Sequence, residues 1–375
     1  MKKIVHIITG LGDGGAEAVL YRMVSSNDSP QEHIVICLQN KSKYGIALEN
    51  KKIKVFYMNM SPNLKIFSKI YKLFLILKNL KPDAIQTWMY HSDLIGGITG
   101  RLSGCKNIVW GVYCSNFVFG QTKISTILII FINALISWFL PKKIISCSDT
   151  GKDTHKRYGF AGKKLVYVPN GLPHEDFIID KTNNFNLRES LNINNKEVVI
   201  GIVGRYSPMK DHLNFIKALS ILKTEINDFV ALFIGENLDN SNKTLMNHLE
   251  QYDLIDKVRL LGKRNNIQEF MNLIDINVLS SSFGEGQPNV LCESMLCGTP
   301  CVTTDVGDAS LIVQDYGWVV PPKSPKLLFD AILNAKDLMN DASSWERRII
   351  EGRINIINRF SMDRMTESYR EIWQQ

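Results

Sequence analysis

The order of short apolar segments along the chain is the feature that most constrains its fold. Apolar runs rich in β-branched residues alternate with longer segments of helical periodicity through both halves. Such strands, separated by helices, are typical of parallel sheets covered on both faces. Two sets in one chain predict the α/β class with two Rossmann-like, doubly wound domains. The predicted strands are Ile4–Ile8, His33–Leu38, Val55–Met58, Ala84–Thr87, Asn107–Val112, Lys143–Cys147 and Leu165–Val168, then Val198–Val203, Ala231–Ile234, Val258–Leu261, Ile276–Leu279 and Pro300–Thr303.

The chain has 375 residues, more than one ordinary core requires. A turn cluster at Asn170–Pro173 follows the first set of strands. We interpret the polar, Asn-rich stretch 180–195 as a linker, with a short helix from Asn186. The expected domains are residues 1–180 and 181–360, with residues 361–375 as a C-terminal helix that packs back on the first domain.

Composition excludes disorder, because 45% of residues are hydrophobic and 22% are charged, an ordinary globular balance. The net charge of +7 is unevenly spread: residues 1–180 hold 23 Lys and Arg against 12 Asp and Glu, whereas residues 181–375 hold 21 against 25. A basic half suits an anionic membrane surface, a polyanionic substrate or nucleic acid, and a merely solvated surface is the plain alternative. Nucleic acid is disfavoured because the basic half lacks a recognised binding module.

The spacing of the cysteines and the residues near position 1 both indicate the cellular compartment of the protein. Seven cysteines with no CxxC pair disfavour a disulfide framework or a zinc site and favour a reducing compartment. The apolar run near the first residue is too short for a signal peptide and predicts a strand.

Two segments raise the question of a membrane. Asn63–Lys81 has five lysines among apolar residues, which predicts either a basic amphipathic helix on an anionic membrane or a core helix with a lysine-rich outer face. Ile124–Leu140 has 17 uncharged residues, fewer than the ~20 of a spanning helix, and contains Ser, Thr and Asn. We therefore favour a buried or interfacial helix there.

A glycine-rich loop, Thr9–Glu17, follows the first predicted strand and precedes a helical run. Glycines let a backbone approach a ligand, and a helix N-terminus favours an anion. The spacing does not match G-x-G-x-x-G, and no acidic residue ends the second strand, so a dehydrogenase is disfavoured. A purely structural turn is equally compatible with this loop.

A second loop, Gly204–Lys210, follows the strand Val198–Val203. Because the carboxyl ends of strands face the ligand crevice of an open α/β sheet, Arg205 and Lys210 could hold a diphosphate and stabilise it as a leaving group. The alternative is a pair of solvated loop cations.

The third and most specific segment is Ser280–Met295, a Ser/Gly-rich loop followed by a helix that we expect to begin near Pro288. The first amides of that helix, at Asn289 and Val290, suit a phosphate. Glu293, one turn inside the helix, could bind a ribose diol, and Glu285 could bind sugar hydroxyls. The alternatives are helix capping for Glu285 and a solvated face for Glu293.

These segments resemble retaining glycosyltransferases of family 4. Glu285 and Glu293 stand in the E-x7-E arrangement of that family, within GEGQPNVLCESMLCGTPCVTTDVG. The GDGGAE, VPNGL and GRYSPMK segments come in the order that the family has, so the resemblance covers nearly the whole chain. It implies a GT-B fold, two Rossmann-like domains facing across a cleft, with a nucleotide-diphospho-sugar donor and no required metal or cofactor.

The resemblance also implies roles for individual residues. Arg205 and Lys210 would hold the diphosphate, Glu293 the ribose and Glu285 the transferred sugar. The remaining donor-binding positions would be Gly14 and Gly15 from the first domain, Gly204 in the second loop, Gly262 and Arg264 beside the base, and the loop Gly286, Gln287, Pro288, Asn289 and Val290.

Family members often carry a histidine near the reacting centre in the first domain. Cys114 stands where we expect that histidine, and a nucleophilic role for it is disfavoured because nothing nearby in the sequence lowers a thiol pKa. His91 also follows a strand, so it is either an active-site residue or a structural histidine.

The expected activity is transfer of a sugar from a UDP-sugar, favoured over a GDP-sugar, to a lipid-linked glycan with retention, in O-antigen, lipopolysaccharide or capsule biosynthesis. The expected location is cytoplasmic, peripheral on the inner face of the bacterial plasma membrane. Two alternatives are a sugar-nucleotide 2-epimerase of the same architecture and a catalytically impaired protein that binds nucleotide-sugar or lipid.

Overall fold

The computed structural model describes residues 2–12, 14–25, 31–61, 66–113 and 123–374. The chain divides into two compact units, the first formed by Met1–Gly171 with Met362–Gln375 and the second by Leu172–Ser361. Each unit contains one parallel sheet. The predicted α/β class is confirmed, and each of the twelve predicted strands is present.

The sheet of unit 1 has seven parallel strands in the order β3-β2-β1-β4-β5-β6-β7. Its central strands are buried from end to end, which explains their nearly unbroken apolar sequences. The strands are β1 (Lys3–Ile8), β2 (Glu32–Cys37), β3 (Lys54–Tyr57), β4 (Ala84–Trp88), β5 (Ile108–Val112), β6 (Lys143–Ser146) and β7 (Leu165–Tyr167).

Helices cover both faces of this sheet. The helices are α1 (Gly15–Ser25), α2 (Lys43–Asn50), α3 (Ile66–Leu80), α4 (Tyr90–Leu102), α5 (Ile124–Ile136), α6 (Asp149–Arg157) and, at the far end of the chain, α15 (Met362–Gln374). Helices α1, α2 and α15 share one apolar core with the sheet, and α3, α4 and α5 share a second core with its other face.

The sheet of unit 2 has six parallel strands in the order β10-β9-β8-β11-β12-β13. The strands are β8 (Val198–Val203), β9 (Phe229–Ile234), β10 (Val258–Gly262), β11 (Ile276–Leu279), β12 (Cys301–Thr304) and β13 (Trp318–Val320). The helices are α7 (Asn184–Ser190), α8 (His212–Glu225), α9 (Lys243–Gln251), α10 (Ile267–Leu273), α11 (Asn289–Leu296), α12 (Ala309–Val313), α13 (Pro325–Leu338) and α14 (Ala342–Phe360). The sequence did not predict β13.

The boundary between the units lies between Gly171 and Leu172 rather than at residue 180. The Leu172 backbone N–H donates to the Phe360 carbonyl at 2.8 Å, so the two ends of unit 2 are held together. Residues 180–195 are not a free linker, because Asp180 donates its backbone N–H to Asn272 and Arg188 pairs with Asp275 at 3.4 Å. This stretch is part of unit 2.

The two segments that raised the membrane question are both helices of unit 1. Residues 66–80 of the predicted Asn63–Lys81 helix are helical, and residues 62–65 lie outside the described residues. The uncharged segment contains α5, which ends at Ile136. In the described part of the chain, no helix has the length and hydropathy that crossing a bilayer requires.

Candidate active site

The strand order of unit 2 reverses between β8 and β11, with earlier strands on one side and later strands on the other. In open α/β sheets, ligands bind beyond the carboxyl ends of the strands at such a switch point. The loop Gly204–Lys210 follows β8 and the loop Ser280–Pro288 follows β11. The topology therefore places both predicted phosphate-site loops at the position where a ligand is expected.

The first loop is constrained by its backbone conformation and by close contact with the neighbouring strand end. Gly204 has φ +158°, and Gly235 of the neighbouring strand end lies so close that a Cβ there would be 2.0 Å from the Gly204 carbonyl oxygen. A 3₁₀ turn then spans Pro208–Lys210. Asp211, with φ +46°, caps α8 by accepting the Asn214 backbone N–H. The turn and the cap together fix the backbone position of Lys210.

Lys210 and Glu285 meet at the centre of this site. Lys210 Nζ lies 2.7 Å from Glu285 Oε1, and the Ser281 hydroxyl donates to the same oxygen at 2.6 Å. Only 13% of the Lys210 side chain and 9% of the Glu285 side chain are exposed. The Ser280 hydroxyl also donates to the Lys210 carbonyl at 2.8 Å. The two loops are therefore joined by a charge pair that is largely shielded from water.

The loop that carries Glu285 is supported from behind by the loop after β12. Gly307 has φ +63°, and a Cβ at this position would lie 2.3 Å from the Glu285 carbonyl oxygen. The Asp308 backbone N–H donates to the Gly286 carbonyl at 2.9 Å. Gly286, Gln287 and Pro288 are buried. This close approach of two backbones holds the Glu285 carboxylate in place.

Helix α11 begins directly after this loop, with Pro288 at its N-cap position. Asn289 and Val290 form its first turn and are half-buried, as is Glu293 one turn further on. The N-terminus of a helix carries partial positive charge and favours an anion. An anion at the switch point therefore meets a helix N-terminus as well as the side chain of Lys210.

The other predicted donor-site residues of unit 2 lie at neighbouring strand ends. Arg205 and Arg264 are exposed, and Arg264 lies 5.8 Å from the centre of the Phe270 ring. Gly262, with φ +64°, ends β10 and accepts the Gly235 backbone N–H at 2.9 Å. Within the described residues, no hydrogen bond or ion pair links either arginine to the Lys210–Glu285 pair.

Unit 1 has its own switch point, between β1 and β4. A pocket of about 370 Å³ opens there. Met89 precedes α4 with φ +72°, a conformation that is uncommon outside glycine and is frequent at functional sites. The pocket is lined by Thr9, Gly10, Glu17, Gln39, Met89, Tyr90, His91, Tyr113 and Thr126.

His91 is half-buried in this pocket, in the first turn of α4. Burial and the nearby charge of Lys123 lower the pKa of His91 below its ordinary value. The imidazole is therefore neutral at pH 7. In this neutral form one ring nitrogen can accept a proton or a hydrogen bond.

The predicted glycine loop begins beside the same pocket. Helix α1 starts at Gly15, and the Glu17 carboxylate lies so close that a Cβ at Gly14 would be 2.1 Å from Glu17 Oε2. Asp13 and Cys114 lie outside the described residues. The expectation for Cys114 therefore stays a prediction.

Several residues of these sites were not singled out from the sequence. Ser281 bonds to Glu285, and Gly307 supports the Glu285 loop. Gln39 and Tyr90 line the unit 1 pocket. All four follow a predicted strand closely, so their position at strand ends was a usable signal, but a strand pattern does not show which group each residue contacts.

Comparison with known families agrees with this geometry. Residues 13–176 match the model "Glycosyltransferase Family 4", and residues 183–351 match the model "Glycosyl transferases group 1". The chain belongs to glycosyltransferase family 4. The two matched segments fall on the two units, and the second contains both Lys210 and Glu285.

Sequence alignments with two bacterial relatives cover most of this glycosyltransferase. It is 25% identical over 82% of its chain to the Escherichia coli UDP-Gal:alpha-D-GlcNAc-diphosphoundecaprenol alpha-1,3-galactosyltransferase, of which 80% is covered. It is 26% identical over 88% of its chain to the Campylobacter jejuni N-acetylgalactosamine-N,N'-diacetylbacillosaminyl-diphospho-undecaprenol 4-alpha-N-acetylgalactosaminyltransferase, of which 89% is covered.

Solved structures show the same fold. Anabaena HepE in complex with UDP has a TM-score of 0.86 to the glycosyltransferase, at 19% identity, with 100% of each chain covered. The GT-B architecture expected from the resemblance is therefore confirmed.

Proposed function

We propose that this glycosyltransferase moves a sugar from a UDP-sugar to a lipid-diphosphate-linked glycan, with retention of the anomeric configuration. The contact between Lys210 and Glu285 at the β8/β11 switch point carries the proposal. It brings a cation for a diphosphate and a carboxylate for sugar hydroxyls within 2.7 Å of each other. A nucleotide-diphospho-sugar presents phosphate oxygens beside sugar hydroxyls, so a cation and a carboxylate at that junction can bind both.

In the proposed reaction, the bond from the anomeric carbon to the β-phosphate oxygen breaks, and a bond to the acceptor oxygen forms on the same face of the sugar. The proton of the acceptor hydroxyl leaves with the departing diphosphate. Arg205, Lys210 and the N-terminus of α11 stabilise the charge that develops on that diphosphate.

The other donor contacts follow from position. Glu293 binds the ribose, and Gly262 and Arg264 lie beside the base. The loop Gly286–Val290 encloses the diphosphate, together with Gly204 of the loop after β8. Gly14 and Gly15 stay predicted donor-binding positions. Anabaena HepE, which shares the fold, has been crystallised with UDP and with UDP-glucose, which supports UDP as the nucleotide.

The acceptor is assigned to unit 1 and its pocket around His91. The named substrates of the two bacterial relatives are linked to diphosphoundecaprenol, a membrane lipid carrier. The excess of Lys and Arg in residues 1–180 suits an anionic membrane surface and a diphosphate-linked acceptor. We therefore assign the protein to the cytoplasmic face of the membrane, in assembly of a surface polysaccharide such as O-antigen or capsule.

A donor screen tests the proposal. Thermal unfolding is measured with UDP-, GDP- and ADP-sugars, and nucleotide release is measured with and without a diphosphoundecaprenol-linked sugar. We expect UDP-sugars to raise the melting temperature, because a ligand at 100 times its Kd adds about 2.7 kcal/mol to the free energy of unfolding. We also expect UDP release to require the acceptor.

Two results would overturn the proposal. Conversion of the UDP-sugar to an epimer without any acceptor would make the protein an epimerase. Binding of the UDP-sugar without turnover, whatever lipid-linked acceptor is offered, would make it a binding protein.

A further inference from the structure

Helices α3, α4 and α5 form one layer over a face of the unit 1 sheet. Their inner sides share a single apolar core, to which α3 contributes Leu73 and Leu77 and α5 contributes Ile130 and Ala134. Helix α4 packs between the other two. We call the opposite, solvent-facing side of this layer the outer face of α3–α5.

Most of the α5 part of this face is apolar, since Ser125 is the one polar residue among the exposed residues of this helix. Outward-facing residues recur at helical spacing, and Ile124 is 85% exposed and Leu135 73% exposed. No charged residue occurs from Ile124 to Leu140. An ordinary surface helix has charged residues on its solvent-facing side. Helix α5 has no charged residue on that side. The outward apolar residues are Ile124, Leu128, Phe131 and Leu135 in α5, and Trp138 and Phe139 directly after it.

The apolar surface continues onto the neighbouring helices. Ile98 and Leu102 are exposed at the end of α4. The Arg101 guanidinium donates to the Leu140 carbonyl at 2.6 Å, which joins that end of α4 to the end of the α5 segment. On α3, exposed Phe67, Tyr71 and Leu75 recur every four residues. Exposed apolar residues on three neighbouring helices point to a binding surface.

Exposed basic residues, which we call the basic rim, occur on α3 and on either side of the α5 segment in the sequence. Residues 62–148 contain ten Lys and Arg, two Asp and no Glu. Of the two acids, Asp93 is fully buried, and Asp83 accepts the Lys3 backbone N–H. Exposed lysines of this segment include Lys72 and Lys78 on α3, Lys123 before α5 and Lys142 after it.

We infer that the outer face of α3–α5 binds an anionic lipid bilayer, with α5 lying in the plane of the headgroups. Apolar and aromatic residues enter the boundary between headgroups and acyl chains, and lysines reach the anionic headgroups. A second copy of the chain fits this face less well. A two-fold contact would place the same patch on both sides and bring one basic rim against the other.

The position of α5 links this surface to the unit 1 pocket. Thr126, in the first turn of α5, lines the pocket that also contains His91. A bilayer along α5 therefore brings a lipid-anchored acceptor to the mouth of that pocket. The inference deepens the proposed function, on whose lipid-linked acceptor this link rests, but vesicles without acceptor test the surface itself.

Flotation with vesicles tests the inference. The full chain is mixed with vesicles of phosphatidylcholine, alone or with phosphatidylglycerol, and the test variant is Leu128→Ser/Leu135→Ser/Phe139→Ser. The matched control, Phe185→Ser/Ile350→Ser/Ile354→Ser, makes the same kind of change at exposed apolar residues of unit 2. We expect about tenfold or greater loss of binding to anionic vesicles for the test variant, and less than about twofold for the control.

A charge variant, Lys72→Gln/Lys78→Gln/Lys142→Gln, tests the basic rim. We expect it to lower binding to anionic vesicles at low salt by about tenfold and to leave the weaker binding to neutral vesicles unchanged. Thermal unfolding confirms that each variant is folded.

Equal flotation of the test variant and its control would overturn the inference. So would a wild-type dimer that floats with neither vesicle and that the serine variant converts to monomer. The UDP-sugar thermal shift separates the two proposals, because the serine variant is expected to keep it. If the wild type shows no such shift and still floats, the proposed function fails and the membrane surface stands.

Discussion

At the scale of single residues, the site is organised around one partly buried charge pair. A lysine shielded from water is costly unless a counter-charge is close, and Glu285 supplies that charge to Lys210. A diphosphate offers Lys210 two further negative charges. We expect the ligand to draw Lys210 away from Glu285, which leaves the carboxylate, still bonded to Ser281, available to sugar hydroxyls.

Lys210→Ala tests this account of the charge pair. We expect kcat/KM for the donor to fall about 10²–10³-fold, because the charge on the departing diphosphate loses a fixed cation in a shielded site. Lys196→Ala is the matched control, because Lys196 is exposed and lies at the opposite end of β8. Initial rates of nucleotide release measure both variants. A loss below about twofold for Lys210→Ala would remove this lysine from the phosphate site.

Gly307→Ala tests the support behind Glu285. Its Cβ would meet the Glu285 and Gly286 carbonyl oxygens, at 2.3 and 2.5 Å, so the two loops must separate. We expect donor turnover to fall at least about tenfold, since a displacement of about 1 Å can cost 10²-fold in rate. Gly104→Ala is the control, because Gly104 also has positive φ but faces open space. Similar turnover in the two alanine variants would contradict the supporting role of Gly307.

The sequence predicted part of this site. Lys210 and Glu285, which the structure brings into contact, could be singled out because each lies in a loop after a predicted strand and matches a family motif. The roles of Arg205 and Glu293 stay predictions. The support from Gly307 could not be singled out, since a glycine after a strand reveals neither its φ nor the backbone opposite it. The bond from Ser281 to Glu285 is also a product of loop geometry, which strand patterns do not encode.

At the scale of elements, α15 completes the core of unit 1 although it comes last in the chain. Met365, Tyr369, Ile372 and Trp373 are buried against the sheet. The Trp373 indole N–H donates to Gln86 Oε1 at 3.2 Å, and the Tyr369 and Tyr113 hydroxyls lie 2.8 Å apart. A C-terminal helix that packs on the first domain is expected from the sequence, and the individual partners of its side chains come only from the fold.

Trp373→Ala should therefore destabilise the protein by about 3–5 kcal/mol, the usual cost of truncating a buried large aromatic residue. Phe139→Ala removes an aromatic ring that is 85% exposed and should change the free energy of unfolding by less than about 0.5 kcal/mol. Chemical denaturation of both variants measures the difference. Equal stabilities would mean that α15 is not part of the cooperative core.

The sequence predicted the buried central strands accurately but missed the short strand at the sheet edge. Buried central strands such as β8 and β11 were predicted at their observed ends, because an apolar run bounded by polar residues marks them well. Strand β13, Trp318–Val320, was not, since it has three residues at the edge of the sheet and one of them is exposed. The unit boundary also escaped prediction because it depends on pairing between Leu172 and Ser361, which are distant in sequence.

At the scale of the whole molecule, the two units differ in how the chain builds them. Unit 2 is one continuous segment, Leu172–Ser361, whose ends pair with each other. Unit 1 consists of two segments, because α15 follows unit 2 in the sequence but packs in unit 1. A continuous segment with its own cores can fold alone, whereas residues 1–171 alone would expose the apolar surface that α15 covers.

Separate expression of the two segments tests this asymmetry together with the site assignment. We expect residues 172–361 to unfold cooperatively and to keep a thermal shift with UDP, because Lys210, Glu285 and α11 all lie within them, but to transfer no sugar. We expect residues 1–171 to be unstable and to be rescued by adding residues 362–375 through a short linker. The Lys210→Ala form of the 172–361 fragment is the control, and its UDP shift should be lost. A folded fragment that does not respond to UDP, while the whole chain does, would mean that the nucleotide site needs unit 1.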